Sequence, residues 1–436
     1  MRDLVLSGFI FCLLPMALWR PWVGVMLWVW ISVMNPHKLA YGFAFNFPFA
    51  QIIAITTLIG FVVTRDPKKF PVNGLTTMLI LMTVWMNLSM IMPLEFEKSI
   101  PVWEQVMKTM VMLFIGMALL HTRRHLDMLV WILVLSIGFY SFKGGIFTVL
   151  TGGQWRVYGP SGGVIEENNA LAVATIMAIP LMRYLQLQAK NKWVRRGLLL
   201  LMAVSAISAL GSQSRGGLLA ISAMGLFFWW KSRHKFLLGI GIAIIVAAGL
   251  AVMSERWEAR MATIKTYEQD ESAVSRLVAW GTMVNIALDN PFVGGGFHVS
   301  TPQVYARYSA DPSKDYNPVA HSIYFQMLGS HGFVGLFLFV GVGFAAWRTA
   351  TRMMKAARGD PDCRWAYDLG GNVQVSLIGY GVGGAFLSLQ YWDMPYYILA
   401  ALVLANTLMR EQLRAKAPAP KATRRGMQPP AAVGRA

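Results

Sequence analysis

Two cysteines in 436 residues make no disulfide framework, since Cys12 falls in an apolar stretch and Cys363 in a basic loop. Charge is scarce too. Only 14% of the residues are Asp, Glu, Lys or Arg while 56% are hydrophobic, which excludes an ordinary soluble domain. Alternating apolar and polar runs of strand length are missing, so the chain is not a membrane barrel. No pair of carboxylates sits inside an apolar run, which argues against a proton pump or sodium site, and no His, Cys and Asp grouping has metal-ligand spacing. No internal repeat is visible. The opening "MRDLVLSGFIFCLLPMALW" has a weak charged start and no small-residue cleavage site, so it reads as retained membrane sequence.

What the chain does have is apolar length. Segments run over 4–18, 22–34, 48–64, 73–92, 105–120, 126–142, 169–183, 197–212, 217–230, 236–253, 322–347, 373–388 and 393–409. Many are long enough to cross a hydrocarbon layer of ~30 Å, and backbone polar groups in lipid must be satisfied within the segment. An all-α polytopic membrane protein follows.

The formal net charge of +18 collects in short loops, where it acts as a topology signal and calls for no nucleic-acid partner. Residues 64–71, 121–125, 183–196, 231–235, 348–364 and the tail from Arg410 alternate correctly with the other loops if all six are cytoplasmic. Segments 92–105, 141–169, 211–216, 254–321 and 390–393 then face outward. The first two apolar segments, separated by "WRP", are expected as half-helices sharing one traversal, giving about 12 transmembrane helices with both ends cytoplasmic. Two separate crossings would give 13 and put the N-terminus outside. Residues 1–410 form one helical domain on this reading, and 411–436, basic and rich in Pro and Ala, a disordered tail.

The outward loop 254–321 is the largest feature between spans. In "SERWEARMATIKTYEQ" the spacing of Trp257, Met261 and Ile264 predicts a helix lying at the interface. "SAVSRLVAWGTMVNIAL" predicts a second helix with Val274, Leu277, Val278 and Met283 on its apolar face. "FVGGGF" reads as a flexible turn. No strand precedes it, so its glycines do not make a nucleotide loop.

Four polar positions need a reason. Arg215 stands in a short outward turn, where positive charge is disfavoured, followed by Gly216 and Gly217. It either snorkels to lipid headgroups or aims a guanidinium fork at a phosphate or diphosphate. Arg276 has Trp280 one turn later on the same helix face, so either a structural cation-π or ion pair with Glu271 or an anion-binding role explains it. Arg156, in "QWRVYG", is a third anion-binding candidate or an exposed loop arginine. His321 opens "HSIYFQMLGSHGFVG" and is expected in the first turn of a span. A helix N-terminus disfavours imidazolium, so the ring should stay neutral near pH 7 and able to accept a proton, with Tyr324 or Gln326 available to orient it. Glu166, Glu167 and Asp393 precede or begin spans and read as helix-start acids.

The arginine in a tight outer turn, the loop bearing "SRLVAW" and "HSIYFQMLGSHGFVG" together resemble the O-antigen ligase and polymerase superfamily of bacterial envelope glycosyltransferases. "WVWISVMNPHKLAYGFAFNFPFAQIIA" is similar to the subgroup of O-glycosylation ligases associated with the exosortase system. The resemblance covers residues 1–410. It implies a GT-C-like bundle in the bacterial inner membrane, with a periplasmic active site. The implied reaction transfers a glycan from undecaprenyl diphosphate to a terminal sugar of lipid A-core, without metal, nucleotide sugar or other cofactor. It implies His321 as general base or acceptor-positioning group and Arg215 and Arg276 on the diphosphate. Arg156, Trp280 and Tyr324 complete the substrate-binding set. A polymerase or protein glycosyltransferase would use the same donor. A secondary transporter is disfavoured because the ionisable groups gather at one membrane face rather than the midplane. With all the groups on one chain, a monomer suffices.

Overall fold

A computed structural model describes residues 1–232, 234–255, 257, 271–309, 311 and 319–416. Among them there is no strand. Six helices are long and apolar enough to cross a membrane: α1 (Arg2–Trp19), α5 (Phe96–Leu119), α6 (Arg123–Thr151), α7 (Asn168–Gln188), α8 (Lys192–Gly211) and α13 (Ile323–Ala357). Around them stand α2 (Pro21–Met34), α3 (Phe49–Val63), α4 (Gly74–Leu88), α9 (Arg215–Lys231), α10 (Lys235–Val252), α11 (Glu271–Asp289), α12 (Pro302–Tyr308), α14 (Arg364–Gly384) and α15 (Asp393–Lys416). The chain is an all-α, multi-pass membrane protein.

Helix starts carry the side chains that satisfy orphan N–H groups. Asn73 and Thr76 form a reciprocal box at α4, Thr122 caps α6, Asn191 caps α8 and Ser322 caps α13. α7 sits deepest, packed on α6, α8, α9 and α14. α6 and α8 approach closely through small residues, as expected where lipid offers no hydrophobic drive between helices. A Cβ on Gly145 would lie 2.2 Å from the Val204 carbonyl oxygen, and Ser141 Oγ meets Ser205 Oγ at 2.7 Å.

The charge alternation read from sequence matches the geometry. His121 Nε2 lies 2.7 Å from the Pro67 carbonyl, Arg123 donates to Tyr184 and covers Trp365, Lys231 donates to Gln374, and Gln412 donates to the Asp362 carbonyl. The six basic segments thus share one end of the bundle, here the basic end.

The end-to-end arrangement expected of the first two segments is corrected. Phe9 packs edge-on against Trp30 at 5.5 Å, and Asp3 accepts from Gly42 N, beyond the far end of α2. α1 and α2 therefore run antiparallel. Arg20 (φ −128°, ψ 80°) leaves helical geometry and Pro21 starts a fresh first turn, so the chain folds back instead of continuing. Arg20 pairs with Asp66 at the basic end, which puts Asp3 at the opposite end.

The expected flexible turn at 292–297 is also corrected. α13 breaks at Gly332 (φ 69°, ψ −172°), and the glycine segment fills the break. Gly295 N donates to the Gly329 carbonyl at 2.8 Å, Gly296 N to Ser330 O at 2.9 Å, and Phe333 N to Pro291 O at 2.9 Å. A broken membrane helix needs partners for its freed backbone groups, and this strap supplies them. Beside it His331, fully buried, bridges Ser89 Oγ at 2.7 Å and Tyr391 Oη at 2.5 Å.

Other expectations shift by local packing. The buried stripe of α11 is Val278, Met283 and Ile286, while Leu277 is 56% exposed. Asp393 opens α15 as a helix-start acid, and it is also buried and accepts from Thr109 at 2.7 Å, tying α15 to α5. α15 runs on to Lys416, which bonds Asp360 and Asp362. Met261, Ile264 and residues 417–436 lie outside the described residues.

Candidate functional site

Opposite the basic end, several helix termini are tied together by backbone and amide contacts. The α8–α9 turn is the hub. Gln213 adopts φ 55°, a left-handed conformation that lets the chain reverse between the two helices. Its amide donates to the Gly153 carbonyl at 2.8 Å, and Asn168 Nδ2 donates to Ser212 O at 2.7 Å. Trp257 Nε1 donates to Leu210 O at 2.9 Å. The end of α6, the start of α7 and the segment after α10 thus converge on the turn that presents Arg215.

Arg215 is the first residue of α9 rather than a member of the turn, because Ser214 Oγ accepts from Gly217 N at 2.9 Å and caps the helix. The two glycines after it admit neighbouring helices. A Cβ on Gly217 would lie 3.0 Å from Ala172 Cβ of α7, and one on Gly216 would lie 3.1 Å from Phe386 Cβ, just past α14. The same end of α14 receives the start of α13. A Cβ on Gly384 would lie 2.6 Å from Ile323 Cδ1, and Tyr324 Oη donates to Gly381 O at 2.9 Å. Arg215 and His321 therefore flank one short stretch, Gly384 to Phe386, at the same end of the bundle.

His321 is not in the first turn of its span. Ser322 takes the N-cap position, its Oγ accepting from Phe325 N, so His321 precedes the helix. It is held at φ 44°, which for a non-glycine residue costs about 1–2 kcal/mol. Its ring is half-buried, and burial is the largest influence, pushing the pKa below the usual histidine value of 6.5; Glu167 raises it and Arg276 lowers it further. The neutral form expected from the helix dipole is favoured, with desolvation as the main cause. Glu167 and Arg276 act on the ring from the start of α7 and from α11.

Trp280 belongs to the same arrangement. Its indole N–H donates to the Ala320 carbonyl at 2.7 Å and its ring stacks on Phe325, 4.8 Å away at 9°. One face and the polar edge of this side chain are thereby committed to holding the approach to His321. Tyr324 and Gln326 do not orient the imidazole: they spend their donors on Gly381 O and Ser330 Oγ. Arg156 lies three residues beyond Gly153 in the loop before α7, half-buried, and among the described residues no hydrogen bond or ion pair ties it to His321 or the other two arginines.

Sequence reading missed the part Glu167 plays. It is the N-cap residue of α7 without a side-chain cap bond, while Glu166 accepts from Ser161 Oγ and Gly162 N and closes its own loop. The signal was present as adjacent acids before a span, and a cap explained both too readily.

Residues 171–340 match the family model described as O-antigen ligase, and Arg215, Arg276, Trp280 and His321 all fall inside that match. The match supports membership of the O-antigen ligase superfamily. It is consistent with a membrane enzyme of the ligase or polymerase type. Residues 1–190, which contain Arg156 and Glu167, match a family of unknown function (DUF5935). The two matches overlap on α7, the helix whose start joins the Arg215 turn. No curated protein matches the chain.

Proposed function

We propose that the protein is an O-antigen ligase that transfers a glycan from undecaprenyl diphosphate to a terminal sugar of lipid A-core on the periplasmic side of the bacterial inner membrane. One observation carries this reading. Arg276 acts on a His321 ring that burial shields from protonation, and Arg215 opens α9 beside the Gly384 to Phe386 stretch that the start of α13 also touches, at the end of the bundle opposite the basic loops. In the usual membrane orientation the basic end is cytoplasmic, so the opposite end faces the periplasm.

The chemistry follows from charge. Breaking the anomeric C–O bond leaves a diphosphate anion, and guanidinium groups fixed in a partly desolvated site stabilise charge that grows during cleavage. His321 accepts the proton of the attacking sugar hydroxyl, and direct displacement inverts the anomeric carbon. Glu167, whose charge raises the His321 pKa, stabilises the imidazolium so formed. Arg156 and Trp280 contact the donor or acceptor at the rim, and Tyr324 braces the first turn of α13. No metal or nucleotide sugar enters the reaction. Counting α1 and α2 as separate passes adds one to the twelve crossings expected from charge alternation, within a GT-C-like bundle acting as a monomer. The segment 28–54 carries the further reading that the enzyme belongs with the exosortase-associated ligases.

The test is transfer by purified protein given a lipid-linked oligosaccharide and lipid A-core, followed by the electrophoretic shift of the product. Ligation to core is expected. Elongated repeats without a core adduct would assign a polymerase instead, and transport into proteoliposomes without any glycan transfer would remove the enzyme reading.

A further inference from the structure

The basic end holds a group of charges that the transfer reaction leaves unused. Arg352 on α13 and Arg410 and Arg414 on α15, all exposed, line one open groove of about 360 Å³. Asn406, Arg410 and Arg414 are four residues apart and share a face of α15, while Ala356 and Leu413 add apolar wall. Arg410 Nε donates to Asn406 Oδ1 at 3.3 Å, which lays that side chain along the groove.

Carboxylates stand close in sequence but are engaged elsewhere. Asp360 and Asp362 bond Lys416 at 2.8 and 2.7 Å, and Asp368 pairs with Arg364 at 3.2 Å. Among the described residues none pairs with Arg352, Arg410 or Arg414. Arginines that merely snorkel spread apart into water along their own helices. Three exposed arginines from two helices lining one opening concentrate positive charge there, which favours an anion. Guanidinium forks match phosphate oxygens in pairs, and basic pockets between membrane helices suit phosphate headgroups.

We propose that Arg352, Arg410 and Arg414 form a binding site for a phosphate-bearing anion at the end of the bundle remote from His321. Its source is the headgroup of an anionic phospholipid or a free phosphate compound, and competition separates the two.

Full-length protein, delipidated in neutral detergent, is titrated with phosphatidylglycerol or phosphatidylcholine and bound lipid is counted by native mass spectrometry. Replacing all three residues (R352Q/R410Q/R414Q) is expected to weaken phosphatidylglycerol binding about a hundredfold, about fivefold per charge, and to leave phosphatidylcholine unchanged. The double variant R195Q/R196Q, altered at exposed arginines of α8 at the same end, should bind as wild type. Excess inorganic phosphate that displaces the lipid identifies a site satisfied by phosphate alone; failure to displace it identifies a lipid site that needs the acyl chains. Triple-variant binding within about twofold of wild type, or an equal loss in R195Q/R196Q, would overturn the assignment. Should the triple variant not purify as a single species, R352Q and R410Q alone are each expected to lose about fivefold, and no loss in either overturns it as well.

Discussion

Gly332→Ala is the sharpest probe of how α13 is built. Gly332 has φ 69° and ψ −172°, a combination that only glycine adopts readily, so any side chain there costs roughly 1–3 kcal/mol in backbone strain. The new Cβ would also lie 2.2 Å from Phe292 O and 2.6 Å from Pro291 O. Both are backbone atoms of the strap that fills the helix break, so neither can swing aside as a side chain does. Relieving the clash pushes the strap outward and breaks the Phe333 N to Pro291 O bond, adding roughly 2–4 kcal/mol from overpacking and the lost hydrogen bond. The expected destabilisation is about 3–7 kcal/mol. Gly343→Ala on the same helix is the control: its Cβ meets nothing within 4 Å, and the helix propensity gain of alanine is about 0.5–1 kcal/mol. Both variants are compared by unfolding in mixed micelles with increasing denaturing detergent. Equal stability of G332A and wild type would mean that the strap does not dock in the break, and the account of α13 would fall with it.

Three further outcomes concern the candidate site. His321→Ala should lower the transfer rate about 10²–10⁴-fold, and wild-type rate should stay flat near neutrality and fall only below pH 6.5, because burial lowers the pKa and the neutral ring is the active form; a variant at full rate, or an acidic limb above 6.5, refutes the base assignment. Glu167→Gln removes the charge that raises the His321 pKa and should move the acidic limb to lower pH, whereas Arg276→Gln removes one that lowers it and should move the limb to higher pH; profiles normalised to their own maxima that shift together or not at all disprove the pairing. Trp280→Phe keeps the stack on Phe325 but loses the bond to Ala320 O, for a stability cost of about 1 kcal/mol read in the same micelle titration.

How much of this was legible in the chain can be judged from particular residues. Arg215 and His321 stood out because a charged or ionisable group beside an apolar run must have a partner or a purpose. Their helix positions were each off by about a residue, since Ser214 and Ser322 take the caps. Glu167 was visible only as an acid before a helix, because nothing local says that the start of α7 lies against the approach to α13. The glycines at 294–296 read as loose when they are among the most constrained residues: their role depends on a helix break more than thirty residues away.

By itself the sequence determined that the chain is a membrane helical bundle and which loops share an end. Span length and loop charge answer to the bilayer one segment at a time, so they can be read along a line. The antiparallel turn of α1 on α2, the strap in α13, and the placing of Arg276 and Glu167 about His321 with Arg215 at the same end were decided only by tertiary packing. The last depends on which helices approach through Gly216, Gly217 and Gly384, and contacts between distant segments leave no local pattern in either partner.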